Sequence, residues 1–581
     1  MPIRKLISAL IVIFALSPIL AIAVTTYTVG INGANYTNAP TSPNIWYVSA
    51  SNTGSGSGTS QANSVGINNI NWYAVQPGDT FYVCGLIRSS FNFQKGGFPG
   101  YPTVLRGDCP TNPGIISGAN LLTGSWTSVG SNVYTVPLSG FLGYQSAGII
   151  AEDDTALIKT SWTGSSSTTI SALASCQSGY TTGCWAYDST DNILYVIATG
   201  LDSPSGHTME DSYGGQYSTQ ISGFAVNYVT VENLTVKDAG GYGIDFSSGA
   251  FAPSGYWAQN GSNITINNCH IYNNFNWAIY IGGQTNVTVT NNIIDHAVWA
   301  GHLPIESAVG EVIRYDTVIG GTINNNTVSY SPSAGIDLHG TSNGITVYNN
   351  TVHDNVGMTN QYAGGIYSDN AQNNFIYRNY IYNWKVGIAL STEGGPPTSG
   401  TYVYNNVIFN SVQDGFILGA NYTNSILSQN NFIYNNTIVF GNETLSVGGS
   451  SNDTFQNNIV YGNGEYQGAG YSGTFCSGCF DYNNYIADLA SIAAGSLYYT
   501  AWQAGVNGDL HSVFTSKYIT NIGTLTFVHP SGVPPTLNLQ LVAGSVAVGA
   551  GKNLYSTFTT DFACTIRPSS AAWDNGAYQN I

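Results

Sequence analysis

An asparagine-rich corner followed by a short apolar alternation recurs along the middle of this chain and restricts its fold more than any other feature. It reads NNCHIY (267–272), NNIIDH (291–296), NNTVSY (325–330), NNTVHD (349–354), RNYIYN (378–383), NNVIFN (405–410), NNTIVF (435–440) and NNIVYG (457–462). The second residues of these corners are spaced 24, 34, 24, 29, 27, 30 and 22 positions apart. Repeats of this length, built from short strands, stack as a solenoid. Apolar residues alternate with period two and Gly and Asn punctuate the segments throughout, which excludes helical repeats. Asn tolerates a left-handed corner and hydrogen-bonds along a stack of equivalent corners. The expectation is an all-β parallel β-helix, with coils about 4.8 Å apart.

A second strand accompanies each corner: GYGIDFSS (241–248), WAIYIGG (277–283), AGIDLHG (334–340), GGIYSDN (364–370), VGIALSTE (386–393) and DGFILGAN (414–421). A solenoid needs caps at its ends. The regular coils are assigned to 223–470, an N-terminal β-rich cap and first coils with inserted hairpins to 24–222, and C-terminal coils and cap to 471–581. The first 23 residues, with Arg4 and Lys5 before an apolar run ending near Ala21 and Ala23, read as a secretory signal peptide, giving a secreted or cell-surface protein with no membrane segment in its mature form.

Only 7% of residues are charged and the formal charge is −17, with 13 Lys plus Arg in 581 residues, so nothing resembles a phosphate-tracking surface and nucleic acid is excluded as a partner. Of eight cysteines, Cys84 and Cys109, Cys176 and Cys184, and Cys476 and Cys479 lie near enough in sequence for local disulfides, while Cys269 reads as a buried thiol.

WYVSASNTGSGSGTS (46–60), QPGDTFYVCG (76–85), the hairpin-like WAYDSTDNILYV (185–196) and the ending from GDLHSVF to WDNGAYQ resemble secreted carbohydrate-active proteins of the pectate-lyase-like superfamily. The resemblance implies a right-handed parallel β-helix with irregular N- and C-terminal capping regions. Within that group, GGIYSDNAQ and GIALSTEGG look most like β-helix glycosidases related to β-xylosidases. There an Asp and a Glu on successive coils act as nucleophile and acid/base, roles that the resemblance carries onto Asp369 and Glu393.

Strand alternation tests this separately. With Ile279, Ile336, Ile366 and Ile388 inward, the outward column holds Asp245, Ser247, Tyr280, Asp337, His339, Tyr367, Asp369, Ala389 and Ser391, with Glu393 two residues beyond. Aligning Trp299 with Trp277 sets His302 beside Tyr280 and Glu306 nearby. One face thus gathers His302, Glu306, Asp337, His339, Tyr367, Asp369 and Glu393, with Tyr280, Tyr367 and Trp299 as flat surfaces for sugar rings. Arg314 is read as a structural partner of Glu311 or Asp316.

Two carboxyls in one cleft suit glycoside hydrolysis of a neutral oligo- or polysaccharide with no required cofactor. The two-residue offset between Asp369 and Glu393 gives about 8 Å diagonally, which suits inversion, whereas the resemblance implies retention. A lyase acting on uronates is the alternative, opposed by the net charge and the lack of a basic residue in the column. Clustered Asp337, Asp369 and Glu306 would suit calcium in that reading. A third is a non-catalytic, adhesin-like glycan-binding solenoid.

Overall fold

The computed structural model describes residues 42–580 except 139–147, 161, 180–181, 213–218, 248–260, 299–309, 356–363, 420–425, 442, 463–472, 475, 488–507, 517–526 and 530–536, and adds 27–29, 34–36 and 40. The signal-peptide expectation falls outside the described residues.

Three long parallel sheets of 14, 13 and 10 strands wrap one core, each strand pairing with its counterpart on the next coil. This is a parallel β-helix. The 10-stranded sheet carries the strands that matter for chemistry. They are β1 (Ile244–Ser247), β2 (Ile279–Gly282), β3 (Ile313–Asp316), β4 (Ile336–His339), β5 (Gly364–Asp369) and β6 (Val386–Ser391). Their first isoleucines pair in one register, Ile244–Ile279–Ile313–Ile336–Ile366–Ile388, and all have zero exposure. That column is the inward face; alternation forces the intervening residues outward.

Each corner pair divides its labour. The first residue of the pair, Asn291, Asn325, Asn349, Arg378, Asn405, Asn435 or Asn457, adopts φ between 51° and 60°. The second turns inward and joins a ladder of buried amides running Asn292–Asn326–Asn350–Asn379–Asn406–Asn436–Asn458–Asn483. The Nδ2 groups of the first seven donate to the next rung's Oδ1 at 2.9–3.2 Å and to a backbone carbonyl of the preceding coil. Cys269 occupies the position below the first rung, its N–H donating to Asn292 Oδ1, and its thiol is buried. The Asn repetition is therefore a device for satisfying backbone polar groups in a dry core.

An insertion between the strands Ile115–Ser117 and Ile221–Ser222 builds a four-stranded and a five-stranded sheet of mainly antiparallel pairs, plus the helix Ser166–Gly179. It docks on the β-helix through Lys237, whose ammonium meets Asp154 and Glu210 of the insertion and Asp238 of the β-helix. At the other end, residues 538–580 run back along the coils. Buried Arg567 ties them down by donating to Asn405 Oδ1 and to the carbonyls of Asp574 and Gly576. Cys84–Cys109, Cys176–Cys184 and Cys476–Cys479 form the three disulfides; Cys564 is free and exposed.

Candidate active site

The outward column on the 10-stranded sheet reads, coil by coil, Asp245, Tyr280, Arg314, Asp337, Tyr367 and Ala389. A second column, two residues on, reads Ser247, Gly282, Asp316 and His339, and Asp369 of β5 pairs with Ser391 of β6. Strand register thus brings Asp316, His339 and Asp369 onto three consecutive coils.

This register corrects the alignment of the 299–316 insertion. Arg314, not His302, stands beside Tyr280, because the strand is formed by the end of the insertion rather than its beginning. Trp299, His302 and Glu306 lie outside the described residues. The column consequently does contain a basic residue. Arg314 is nonetheless occupied: Nη1 donates to Glu311 Oε2 at 2.8 Å and lies 3.6 Å from Asp337 Oδ2, while Nη2 is 3.7 Å from Asp316 Oδ2.

Around it the geometry is dense. His339 Nδ1 is 3.4 Å from Asp316 Oδ1 and its Nε2 is 3.3 Å from Asp369 Oδ2. Asp369, 1% exposed, accepts the backbone N–H of Glu393 on Oδ1 at 2.9 Å. The expected two-residue offset is present, since Asp369 faces Ser391 and Glu393 follows the end of β6. Glu393 is exposed.

Aromatic side chains bound the cluster toward the N-terminal coils. Tyr242 stacks on Trp277 at 4.9 Å and 8°, and Trp277 donates Nε1–H to Glu311 Oε2 at 2.7 Å. Tyr280 packs against both and donates its hydroxyl to Asp316 Oδ2 at 3.1 Å. Gly282 allows this, because its missing Cβ would lie 3.1 Å from the Tyr280 ring. Toward the C-terminal coils, Tyr367 is buried with Ala334, Val386, Ala389 and Ile417, so it forms a wall rather than an open stacking platform.

Burial and charge sort the carboxyls. Asp337 is pushed well above the ordinary range by burial and by Glu311, with Arg314 opposing. Burial also raises Asp369, while the Glu393 N–H, His339 and Arg314 favour its ionised form. Glu393 is raised by partial burial of its carboxyl, then by the charges of Asp369 and Glu311. Burial disfavours ionised Asp316, yet His339 and Arg314 outweigh it and hold Asp316 at about 2. Asp245, farther along the column, is raised to about 7 by burial. Sequence reasoning missed Glu311 and Asp316 as members of the site and gave Arg314 no place in the column. One available signal was distance to the ladder: Ile279 precedes Asn292, Ile313 precedes Asn326 and Ile366 precedes Asn379 by 13 residues each.

The family described as "Right handed beta helix region" matches residues 117–301, 252–352 and 305–437. Among solved structures, XylC in complex with xylose superposes with a TM-score of 0.56 at 12% identity, covering 92% of this chain and 98% of that one. A structure titled "Glycoside hydrolase" gives 0.43 at 9% identity, covering 69% and 96%, and pectate lyase Pel9A gives 0.41 at 13%, covering 93% and 97%. No curated protein sequence matches.

Proposed function

The chain belongs to the right-handed β-helix family, and we propose that on this scaffold it is a glycoside hydrolase acting on neutral, xylosidase-type glycans through Asp369 and Glu393. One observation carries the reading: two carboxyl-bearing residues on consecutive coils are tied by a hydrogen bond, Glu393 N–H to Asp369 Oδ1. Burial raises both carboxyls, and His339 and Arg314 oppose the rise on both; what differs is that Asp369 accepts the Glu393 N–H, which favours its ionised form, whereas Glu393 faces the Asp369 charge, which favours its proton. In such a pair the carboxyl that accepts a backbone N–H ionises the more readily and the one facing its charge keeps the proton, which divides them into base and acid. Glu393 is then the general acid that protonates the leaving oxygen, and Asp369 the nucleophile or base. The likeness in fold to XylC, solved with xylose, supports a pentose or similar neutral sugar as the first substrate to try.

His339 and Arg314 have positioning roles in this reading, the first favouring the ionised form of Asp369 against its burial and the second holding Glu311 and Asp337 in place. Arg314, held by three carboxylates and keeping its proton, is a poor base for a lyase. The substrate would bind between the Tyr242–Trp277–Tyr280 cluster and the Tyr367 wall, with neutral hydroxyls meeting the acid-rich floor. A strongly anionic chain would be repelled there.

The test is hydrolysis of aryl xylosides, aryl arabinosides and neutral oligosaccharides by the wild type and by Asp369→Asn and Glu393→Gln. The expected result is wild-type release, with each variant lower by at least about a thousandfold. Activity surviving both changes removes the assignment. An unsaturated product establishes a lyase, and an inert wild type that still binds glycans establishes the adhesin-like reading.

A further inference from the structure

In the insertion, outside the acid-rich column, Glu152 and Asp153 at the end of the strand Ile149–Glu152 meet His207 from the segment that links the five-stranded sheet to the strand Met209–Ser212. One ligand atom from each lies within 4.8 Å of the other two. His207 Nδ1 is 2.7 Å from Asp153 Oδ2 and 3.3 Å from Glu152 Oε1.

The remaining atom of every group is held from outside. Glu152 Oε2 accepts both the N–H and the hydroxyl of Thr199, at 2.9 and 2.8 Å. Asp153 Oδ1 accepts the Thr208 N–H at 2.8 Å. His207 Nε2 is 3.1 Å from Asp202 Oδ1. Ligating residues fixed by outer partners in this way, above all a histidine whose second nitrogen meets a carboxylate, are characteristic of metal sites.

The hydrogen bonds of the ring do not reach every oxygen around it. Nδ1–H can donate to Asp153, which leaves Glu152 Oε1, on a side chain only 4% exposed, with no hydrogen bond among the described residues. The carboxylates of Glu152, Asp153 and Asp202 all stand within 3.3 Å of this one ring. The neighbouring group of Asp154, Glu210 and Asp238 provides the contrast, since the Lys237 ammonium stands among its oxygens and completes it.

We propose that Glu152 Oε1, Asp153 Oδ2 and His207 Nδ1 are the ligands of a structural first-row transition-metal dication, of the zinc class. One imidazole with two carboxylates suits zinc better than calcium, which prefers an all-oxygen shell. Binding releases the Nδ1 proton and leaves Nε2–H donating to Asp202. Asp153 is half exposed, so the open side can take water as a further ligand. The ion fixes the Glu152–Asp153 turn, and Asp154, next in sequence, carries that rigidity to Lys237 and the β-helix.

The experiment uses the full chain, stripped with chelator and dialysed against zinc, with bound metal measured by mass spectrometry and the melting temperature by calorimetry. About one zinc per chain and a rise of about 5 °C at saturating zinc are expected, both lost in Asp153→Asn and His207→Gln. Hydrolysis of small glycosides by the same variants, assayed below their melting temperature, should stay within about twofold of wild type. Zinc bound equally by both variants overturns the proposal, as does an unliganded wild type, or protection by calcium that His207→Gln retains. If the variants do not fold, X-ray absorption on zinc-loaded wild type decides: one imidazole with oxygen donors supports the site, and a sulfur or all-oxygen shell overturns it.

Discussion

His339 Nε2 lies 3.3 Å from Asp369 Oδ2 across a single coil boundary, while its Nδ1 faces Asp316 on the coil before. The imidazole thus bridges a carboxylate that is held ionised, at about 2, and one that burial drives upward. Removing it takes away a group that favours the charged form of Asp369. His339→Gln is expected to move the acid limb of kcat/KM to higher pH and to lower activity at neutral pH by about 10–100-fold. A pH–rate profile on an aryl glycoside checks this; an unmoved acid limb separates His339 from Asp369.

Arg314 is the cation among Glu311, Asp316 and Asp337. Arg314→Met would leave the buried Asp337 and the half-buried Glu311 and Asp316 uncompensated and should cost on the order of 3 kcal/mol at pH 7. The loss should shrink at lower pH, because Asp337, already above its ordinary pKa, protonates readily once the guanidinium is gone. Denaturant unfolding at two pH values measures both effects.

Asp245 is 2% exposed and raised to about 7. A carboxyl with a folded pKa above its unfolded value binds its proton more tightly in the native state. Stability therefore falls as pH climbs from about 4 to about 7, by up to on the order of 4 kcal/mol for this group. Asp245→Asn should flatten that slope and stabilise the protein at pH 7 and above, read from the pH dependence of the unfolding midpoint.

In the amide ladder, Asn379 donates Nδ2 to Val347 O and Asn406 Oδ1 and accepts Asn350 N–H and Nδ2 on its own Oδ1. Asn379→Ala leaves several buried partners unmet and should cost about 3–5 kcal/mol. Arg378→Asn, one residue earlier, places a residue better suited to φ 53° at a half-buried corner. It should be neutral to stabilising by roughly 1 kcal/mol, offset by its lost packing on Tyr377. Comparing the two midpoints distinguishes rung from corner.

Much of this arrangement was legible in one dimension. The repeated corner announced both the left-handed residue and the amide behind it. Period-two alternation set Ile279, Ile336, Ile366 and Ile388 inward, where each has zero exposure. The same alternation assigned Asp337, His339 and Asp369 to one face and gave Glu393 its two-residue offset. These are properties of the strand itself, since a pleated chain sends successive side chains to opposite sides wherever it sits.

Which strand lies beside which was another matter. The insertion before β3 has two segments that alternate acceptably, and only ladder hydrogen bonds and the filling of the core choose Ile313–Asp316. That choice brought in Arg314, Asp316 and, just before the strand, Glu311, and it put a guanidinium into a column read as lacking a basic residue. The convergence of Glu152, Asp153 and His207, with more than fifty residues between the turn and the histidine, was equally invisible along the chain. Local pattern fixes the direction a side chain faces; register and packing, which depend on contacts between distant residues, decide what it meets.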